Sequence, residues 1–380
     1  MRVCNFIEEG RYGGPQARIT LVADKLRQYG VETYVAFSRY DADKFCAKLK
    51  KKKMPNLPLS ITRLSKEQKT FIRYVLHLLP DIYKLYSLFR KNHFDIVHIN
   101  GSYQLKGPLA AKLAGIPVVW HLNDTNSTTV IQKVFLVVAR YCAVGFIVSG
   151  ERVYDYYLKG TDLEKKPFCE IHAPVDVSLF DPQTVEPDQR LTTAEGLRIL
   201  TICNISLPKG LDYFVDMASL LNQQYDNLSF FVGGPVYSSQ QKYFQNLKTY
   251  IVTKQIKNLT FLGRVDNVNS TLQGSDIFVF SSLAEASPTV IWEAMAMGKA
   301  IVTTDIGSVS QYIEDGISGF IVPIKDPVAL SKKVKMLIED FSLRERMGRE
   351  ARSVAIARLD VSSATEKHAK FYNQILAASL

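Results

Sequence analysis

The chain of 380 residues has no long apolar run and only five cysteines, and each absence excludes a class of protein. Its most apolar stretch, residues 134–148, is interrupted by Arg140 and is shorter than the ~18 residues that a membrane-spanning helix needs. The N-terminus turns acidic at Glu8 without an apolar segment or cleavage site, so a secretory signal peptide is not expected. The cysteines are scattered and form no C-x-x-C pair, which indicates neither a disulfide framework nor a zinc site and is typical of the reducing cytosol.

The excess of positive charge lies in the first half of the chain. Residues 1–180 hold 27 Lys and Arg against 16 Asp and Glu, whereas the remainder holds 20 against 21. Lysines at 48 and 50–53 come shortly before an amphipathic helix predicted over 66–89, which Pro80 should kink or split. Its apolar stripe consists of Phe71, Val75, Leu78, Ile82, Leu85 and Phe89.

Two explanations of these basic and apolar residues remain open. Either a solvated basic loop lies beside a buried stripe, or the lysines adjoin an exposed stripe and together they dock on an anionic membrane. Nucleic acid is not an expected partner, because no helix-turn-helix, RRM or zinc-finger pattern is present.

Short strand-like runs alternate with helical stretches in two series. Expected strands are 2–7, 31–37, 95–99, 117–121 and 144–148, then 198–202, 228–232, 259–262, 276–280, 300–303 and 320–322. Runs that are apolar on both faces are typical of buried parallel strands, and repeated βα units form doubly wound sheets. The sequence therefore predicts an α/β protein of two Rossmann-like domains joined within the Pro-rich segment 173–193. Ligands should bind at the carboxyl ends of the strands, by default in a cleft between the domains.

Polar residues follow two strands of the first series. Gly13 and Gly14 stand between a strand and a helix, where adjacent glycines let the backbone approach a phosphate or sugar, although a plain turn explains them equally well. The G-x-G-x-x-G fingerprint is absent, which disfavours a nicotinamide dinucleotide enzyme. His121, the last residue of the expected strand 117–121, opens a polar segment, and it could bind substrate hydroxyls or be a structural histidine.

The second series contains a cation and two carboxylates near strand ends. Residues 204–210 read Asn-Ile-Ser-Leu-Pro-Lys-Gly, and Lys209 could neutralise a diphosphate or be a solvated surface lysine. Glu285 and Glu293 can each accept hydrogen bonds from two vicinal hydroxyls of a ribose or hexose. Either glutamate alone could instead be a partner of the helix dipole.

A helix start lies between these two glutamates. Ser287 and Pro288 are the expected N-cap and first residue of that helix. The free N–H groups of Thr289 and Val290 should then form an anion site. The pattern predicts a phosphate bound between two hydroxyl-binding carboxylates.

Over almost its whole length the sequence resembles the retaining GT-B glycosyltransferases of family 4. The most specific part is the E-x7-E pair of Glu285 and Glu293, followed by Ala-Met-Ala-Met-Gly-Lys-Ala-Ile-Val-Thr-Thr-Asp-Ile-Gly at 294–307. Further matching segments are Gly13-Gly14, Asp95-Ile96-Val97-His98, Gly115-Ile116-Pro117, Lys209-Gly210, Phe261-Leu262-Gly263-Arg264-Val265 and Asp315-Gly316.

The resemblance implies a role for each matching residue. Glu293 would hold the nucleotide ribose, and Glu285 would contact the transferred sugar. The diphosphate would be bound by Lys209, Thr289 and Val290, and the base by Arg264 and Val265. Gly13 and Gly14 would approach the phosphate and the acceptor. His121 would lie near the transferred sugar. Asn204 stands where many members carry arginine, so a second phosphate cation is missing or comes from elsewhere.

The implied enzyme has an acceptor-binding domain over 1–178, a nucleotide-sugar-binding domain over 179–360 and a C-terminal helix, 361–380, that packs back on the first domain. It would transfer a sugar, with retention and without a metal ion or other cofactor, from a UDP- or GDP-sugar to a hydroxyl of a glycan or lipid-linked acceptor. Cell-surface polysaccharide or glycolipid synthesis in the cytoplasm, or at the inner face of the membrane, is the expected setting. The alternatives are a GT-B sugar-nucleotide epimerase and a non-catalytic sugar-binding protein.

Overall fold

The computed structural model describes residues 1–64, 68–125 and 127–378, which form two compact units. The N-terminal unit comprises residues 1–173 and the segment from Val361 onward, and the C-terminal unit comprises residues 174–360. Residues 174–178, which the sequence assigned to the first domain, group with the C-terminal unit. In that unit the N–H of Val175 donates to the carbonyl oxygen of Leu359 over 3.0 Å.

A seven-stranded parallel sheet with the order β3-β2-β1-β4-β5-β6-β7 forms the centre of the N-terminal unit. Its strands are β1 Arg2–Ile7, β2 Glu32–Ser38, β3 Asn56–Leu59, β4 Ile96–Asn100, β5 Val118–Leu122, β6 Ala143–Val148 and β7 Phe168–Glu170. The two edge strands, β3 and β7, were not predicted. Pro58 obscured β3 in the sequence, and the strand tolerates a residue without an N–H donor because it lies at the edge.

The helices of this unit connect the strands in chain order. They are α1 Gly14–Leu26, α2 Asp43–Lys51, α3 Gln68–Leu76, α4 Leu78–Asn92, α5 Lys106–Leu113, α6 Thr129–Cys142 and α7 Glu151–Tyr157. None of the helices within the described ranges is long and apolar enough to cross a membrane.

The C-terminal unit contains a six-stranded parallel sheet with the order β10-β9-β8-β11-β12-β13. The strands are β8 Leu197–Ile202, β9 Leu228–Gly233, β10 Leu259–Gly263, β11 Ile277–Phe280, β12 Ala300–Thr304 and β13 Phe320–Val322. The helices are α8 Gln189–Thr192, α9 Leu211–Asn222, α10 Gln241–Thr253, α11 Val268–Gln273, α12 Thr289–Ala296, α13 Val309–Tyr312, α14 Pro327–Glu339 and α15 Phe341–Val354.

The last helix, α16 Val361–Ala377, is part of the N-terminal unit. Phe371, Tyr372 and Ile375 are buried in the same apolar cluster as Val3 of β1. The Tyr372 hydroxyl lies 2.6 Å from Nδ1 of His98 in β4. Residues 379 and 380 of the expected C-terminal helix lie outside the described residues.

The helix expected over 66–89 consists of two helices, α3 and α4, which are separated at His77. Residues 65–67 lie outside the described ranges. Pro80 is in the first turn of α4, where a missing N–H donor leaves no intrahelical bond unmade. The expected stripe divides between core and surface, with Ile82, Leu85 and Phe89 buried and Phe71 and Val75 exposed.

The lysine run lies at the amino ends of the parallel strands, and the start of α3 lies at their carboxyl ends. Residues 50–53 precede β3 and therefore lie at the amino ends of the parallel strands, whereas the chain leaves β3 toward α3 at their carboxyl ends. Lys52 forms an ion pair of 2.8 Å with Asp24 of α1. The lysines therefore do not lie beside the start of α3, whereas α4 runs back to the amino ends of the strands before β4.

A buried ion pair connects three segments of the N-terminal unit. Nζ of Lys106, at the start of α5, lies 2.9 Å from Oδ2 of Asp81 in α4, and the two side chains are 0% and 1% exposed. Lys106 also donates to the carbonyl oxygen of Thr62 over 2.7 Å. The loss of one partner would leave a buried charge without compensation.

Asp81→Ala should therefore destabilise the N-terminal unit by ~3–5 kcal/mol. Asp162→Ala, which removes the partner of the exposed Arg140, is the matched control and should cost less than ~1 kcal/mol. Urea unfolding followed by Trp120 fluorescence in a Trp292→Phe background measures this unit, because the chain has two tryptophans, one in each unit. Equal losses for the two variants would contradict the importance of the buried pair.

Candidate functional site

Two loops meet at the carboxyl edge of the sheet in the C-terminal unit. The chain after β8 forms a single 3-10 turn, Leu207–Lys209, and the chain after β11 leads into α12. The N–H of Leu283 donates to the carbonyl oxygen of Pro208 over 2.8 Å, and the Ser281 hydroxyl donates to that of Gly210 over 2.9 Å. Gly210 has a φ of 60°, and a Cβ there would collide with the Ser281 carbonyl oxygen, so the approach requires glycine.

This approach brings Lys209 into contact with Glu285. Nζ of Lys209 contacts Oε1 of Glu285, and the side chains are 21% and 19% exposed. The Ser282 hydroxyl donates to the same carboxylate oxygen over 3.3 Å. A cation and a carboxylate therefore lie together at the strand ends, where an anionic ligand would compete with Glu285 for the ammonium group.

The helix that follows begins one residue later than the sequence predicted. Pro288, not Ser287, is the N-cap of α12. Trp292 Nε1 donates to the Ser287 hydroxyl oxygen over 3.1 Å. The N–H groups of Thr289 and Val290 stand in the first turn as expected, where helix geometry offers them no intrahelical acceptor.

Glu293 is one turn into α12 and half-buried. Burial raises the pKa of its carboxyl to about 8. In the free protein this group is therefore mostly protonated at neutral pH. Hydroxyl donors from a ligand would favour its charged form, because hydrogen bonds to a carboxylate lower its pKa.

Three further predicted residues follow strands of the same sheet. Asn204 is exposed after β8. Arg264 and Val265 follow β10 directly, and Arg264 forms an exposed ion pair of 3.3 Å with Asp266. Because the strands are parallel, all three residues lie at the same sheet edge as Lys209.

In the N-terminal unit, the glycine pair begins α1. Gly13 is the N-cap, and Gly14 is the first helical residue. The Gly13 N–H donates to the Gln16 side-chain oxygen over 3.2 Å, and the Gln16 amide donates to the carbonyl oxygen of Glu9 over 2.9 Å. The side chain of Gln16 thus fixes the loop between β1 and α1.

His121 lies in β5, inside the expected strand 117–121, and is fully buried. Nη1 of Arg18 lies 2.6 Å from its Nδ1. Its ring lies 5.3 Å from that of His98 and 5.9 Å from that of His368, measured between centroids.

Burial lowers the pKa of all three histidines, that of His368 to about 4, and the positive charge of Arg18 acts in the same direction. The cluster is therefore neutral at physiological pH. Sequence reasoning missed Arg18 and Asn100, which hydrogen bond to each other. Their positions, in the second turn of the helix after the glycines and at the carboxyl end of β4, could have indicated them.

Two family models match the chain, one for each half. The model described as Glycosyltransferase Family 4 matches residues 12–179. The model described as Glycosyl transferases group 1 matches residues 184–354. Together they cover most of the sequence.

The chain is also similar to individual transferases. It is 25% identical over 264 residues to the UDP-Gal:alpha-D-GlcNAc-diphosphoundecaprenol alpha-1,3-galactosyltransferase of Escherichia coli, covering 65% of this chain and 67% of that protein. It is 26% identical over 289 residues to the N,N'-diacetylbacillosaminyl-diphospho-undecaprenol alpha-1,3-N-acetylgalactosaminyltransferase of Campylobacter jejuni, covering 71% and 74%. The solved structure of HepE from Anabaena in complex with UDP is similar with a TM-score of 0.84 at 20% identity, over 98% of this chain and 100% of that chain.

The raised pKa of Glu293 predicts a pH-dependent effect of Glu293→Gln on stability. The unfolded carboxyl titrates near 4.5 and the folded one near 8, so wild-type stability falls as the pH rises between these values and then levels off. The amide variant lacks this loss. Its melting temperature should therefore rise relative to wild type from pH 5 to pH 8.5, by ~2–4 °C for each kcal/mol relieved.

Fluorescence of Trp292 in a Trp120→Phe background measures this transition in the C-terminal unit. Glu350→Gln, at an exposed position of α15, is the control and should show no such trend. If the difference in melting temperature between Glu293→Gln and wild type were the same at every pH, Glu293 would have an ordinary pKa.

Proposed function

The chain belongs to glycosyltransferase family 4 and has the GT-B fold, and from this we propose that it transfers a sugar from a UDP-sugar to a lipid-linked acceptor with retention of configuration. The observation that carries the proposal is the contact of Lys209 with Glu285 beside the start of α12. It combines a cation and free amides for a diphosphate with carboxylates for sugar hydroxyls. A UDP donor is favoured because the E. coli relative is named for UDP-Gal and HepE was solved with UDP.

In the proposed complex, each group of the C-terminal unit has one task. Lys209 turns from Glu285 to the diphosphate, which the N–H groups of Thr289 and Val290 also bind. Glu285 is then free to accept hydrogen bonds from the transferred sugar, and Glu293 accepts those of the ribose. Arg264 and Val265 contact the base of the donor, and the loop that contains Asn204 supplies the remaining contacts.

We propose a front-face substitution that needs no metal ion. The bond from the anomeric carbon to the diphosphate oxygen breaks as the bond to the acceptor oxygen forms, and the acceptor's proton passes to the leaving diphosphate. Negative charge grows on that diphosphate in the transition state, where a fixed ammonium group and helix amides stabilise it most.

The N-terminal unit would supply the acceptor contacts. Gly13 and Gly14 allow close backbone approach at the start of α1. His121 keeps its proposed place near the transferred sugar only if Arg18 moves away from its ring, because the imidazole is fully buried.

Lys209→Ala should lower kcat by ~10²-fold while changing the KM for the UDP-sugar much less, since the ammonium group matters most when charge develops on the leaving group. Lys257→Ala, an exposed lysine at the amino end of β10, is the control and should leave both constants unchanged. Steady-state transfer from radiolabelled UDP-sugars measures both. A raised KM with an unchanged kcat would make Lys209 a ground-state ligand only.

A lipid-linked acceptor requires access to a membrane, and we propose that one side of α3 and α4 provides it. This apolar face consists of Phe71, Ile72, Val75, Leu76, Leu79 and Tyr83, each 48–76% exposed. Large exposed apolar patches mark interaction sites. The exposed cations Lys69, Arg73 and Lys84 lie on the same two helices and complement anionic headgroups, each contributing ~1 kcal/mol near such a surface.

The double variant Leu76→Ser/Leu79→Ser should greatly reduce co-sedimentation with vesicles that contain phosphatidylglycerol, because it removes the two most exposed leucines of the apolar face. Val252→Ser, at a position 76% exposed in the C-terminal unit, is the matched control. Replacing Lys50, Lys51 and Lys53 with Ser should have little effect, since these residues lie at the other sheet edge. Equal pelleting of the double variant and wild type would contradict docking through this face.

A further inference from the structure

A cavity of about 160 Å³ lies at the carboxyl edge of the sheet in the N-terminal unit. Its lining consists of Tyr40, Thr62, Arg63, Thr70 and Arg73. Tyr40 follows β2, Thr62 and Arg63 follow β3, and the other two residues are on α3. Among the residues that the structure describes, this lining includes two arginines and no aspartate or glutamate. Guanidinium groups match the geometry of phosphate oxygens.

Two of these residues are held by contacts outside the cavity. Nη1 of Arg63 lies 2.8 Å from Oε1 of Glu9, and its Nη2 lies 3.7 Å from Oδ2 of Asp41. The N–H and hydroxyl of Thr62 donate to Oδ2 of Asp81 over 2.9 and 2.8 Å. The cavity wall is therefore fixed by the loop before α1 and by the start of α4.

Arg73 is the less compensated of the two cations. Arg63 lies beside the carboxylates of Glu9 and Asp41, whereas Arg73 has no carboxylate partner among the ion pairs of the described residues. Its guanidinium carbon lies 5.9 Å from the ring centroid of Tyr40. An anion in the cavity would compensate this charge.

We propose that this cavity binds the diphosphate of the lipid-linked acceptor, with the lipid chain lying along the apolar face of α3; the proposal rests on the proposed function. Thr70 and Arg73 line the cavity, while Phe71 and Ile72 of the same helical turn are about half exposed. One helix therefore contributes polar residues to the cavity lining and apolar residues to the exposed surface beside it. A ligand with an anionic head and an apolar tail satisfies both.

The test is titration of the full-length protein with farnesyl diphosphate, inorganic pyrophosphate and farnesol in saturating UDP, which occupies the donor's diphosphate site. Farnesyl diphosphate should bind at least 10-fold more tightly than pyrophosphate or farnesol. Arg73→Gln should lower the affinity for farnesyl diphosphate and for pyrophosphate at least 10-fold. Arg90→Gln, an exposed arginine on α4, is the matched control and should stay within twofold of wild type.

Three results would overturn the proposal: no saturable binding of farnesyl diphosphate, equal binding by wild type and Arg73→Gln, or binding of farnesol as tight as that of farnesyl diphosphate. Equal affinities for pyrophosphate and farnesyl diphosphate would overturn the lipid part and leave a site for free phosphates. Failure of the proposed function is seen separately, as absence of UDP binding or of transfer. In that case the same titration without UDP still tests the cavity.

Discussion

The approach of the Gly210 backbone to the Ser281 carbonyl oxygen is the constraint on which the candidate donor site depends. Any Cβ at residue 210 would separate the two loops. With glycine there, hydrogen bonds join the turn after β8 to the chain after β11, and Lys209 contacts Glu285. The same chain then enters α12, so its first amides and Glu293 follow within one helical turn. The close approach of the two backbone segments thus places the Lys209 ammonium group beside the Glu285 carboxylate.

In the N-terminal unit the buried pair of Lys106 and Asp81 has a comparable role. It ties the start of α4, the start of α5 and the segment after β3 together at the carboxyl edge of the sheet. Thr62, which contacts both charges, also lines the cavity with Arg63. The burial of these charges is costly unless each keeps its partner, and this fixes the wall against which α3 lies.

Much of the fold follows from local sequence pattern. Central strands such as β4 and β11 are buried on both faces, so their apolar runs identify them without any knowledge of their neighbours. The edge strands β3 and β7 are short and half-exposed, and their pairing depends on tertiary contacts that a local pattern does not contain. The candidate site was predictable for the same reason. Each of its main side chains lies in a short loop or near a helix start that the local sequence indicates, as for Lys209, Glu285 and Glu293.

Features that depend on distant partners could not be predicted. The Ser287 hydroxyl pairs with Trp292 instead of capping the helix, and His121 is covered by Arg18, which is 103 positions earlier in the chain. The lysine run and the apolar face of α3 are close in sequence, yet β3 separates them by the length of a strand. Residues that are close in sequence lie at the same end of the parallel strands only when no strand intervenes between them.

The most direct test of the donor site is calorimetric titration of wild type and Lys209→Ala with UDP and with UMP. If Lys209 binds the diphosphate, wild type should bind UDP at least ~10-fold more tightly than UMP, because a charge-assisted contact to the second phosphate is worth ~1.5–3 kcal/mol. In the Lys209→Ala variant that preference should largely disappear, while UMP affinity changes little. An equal ratio of UDP to UMP affinity in the two proteins would contradict the assignment of Lys209 to the diphosphate.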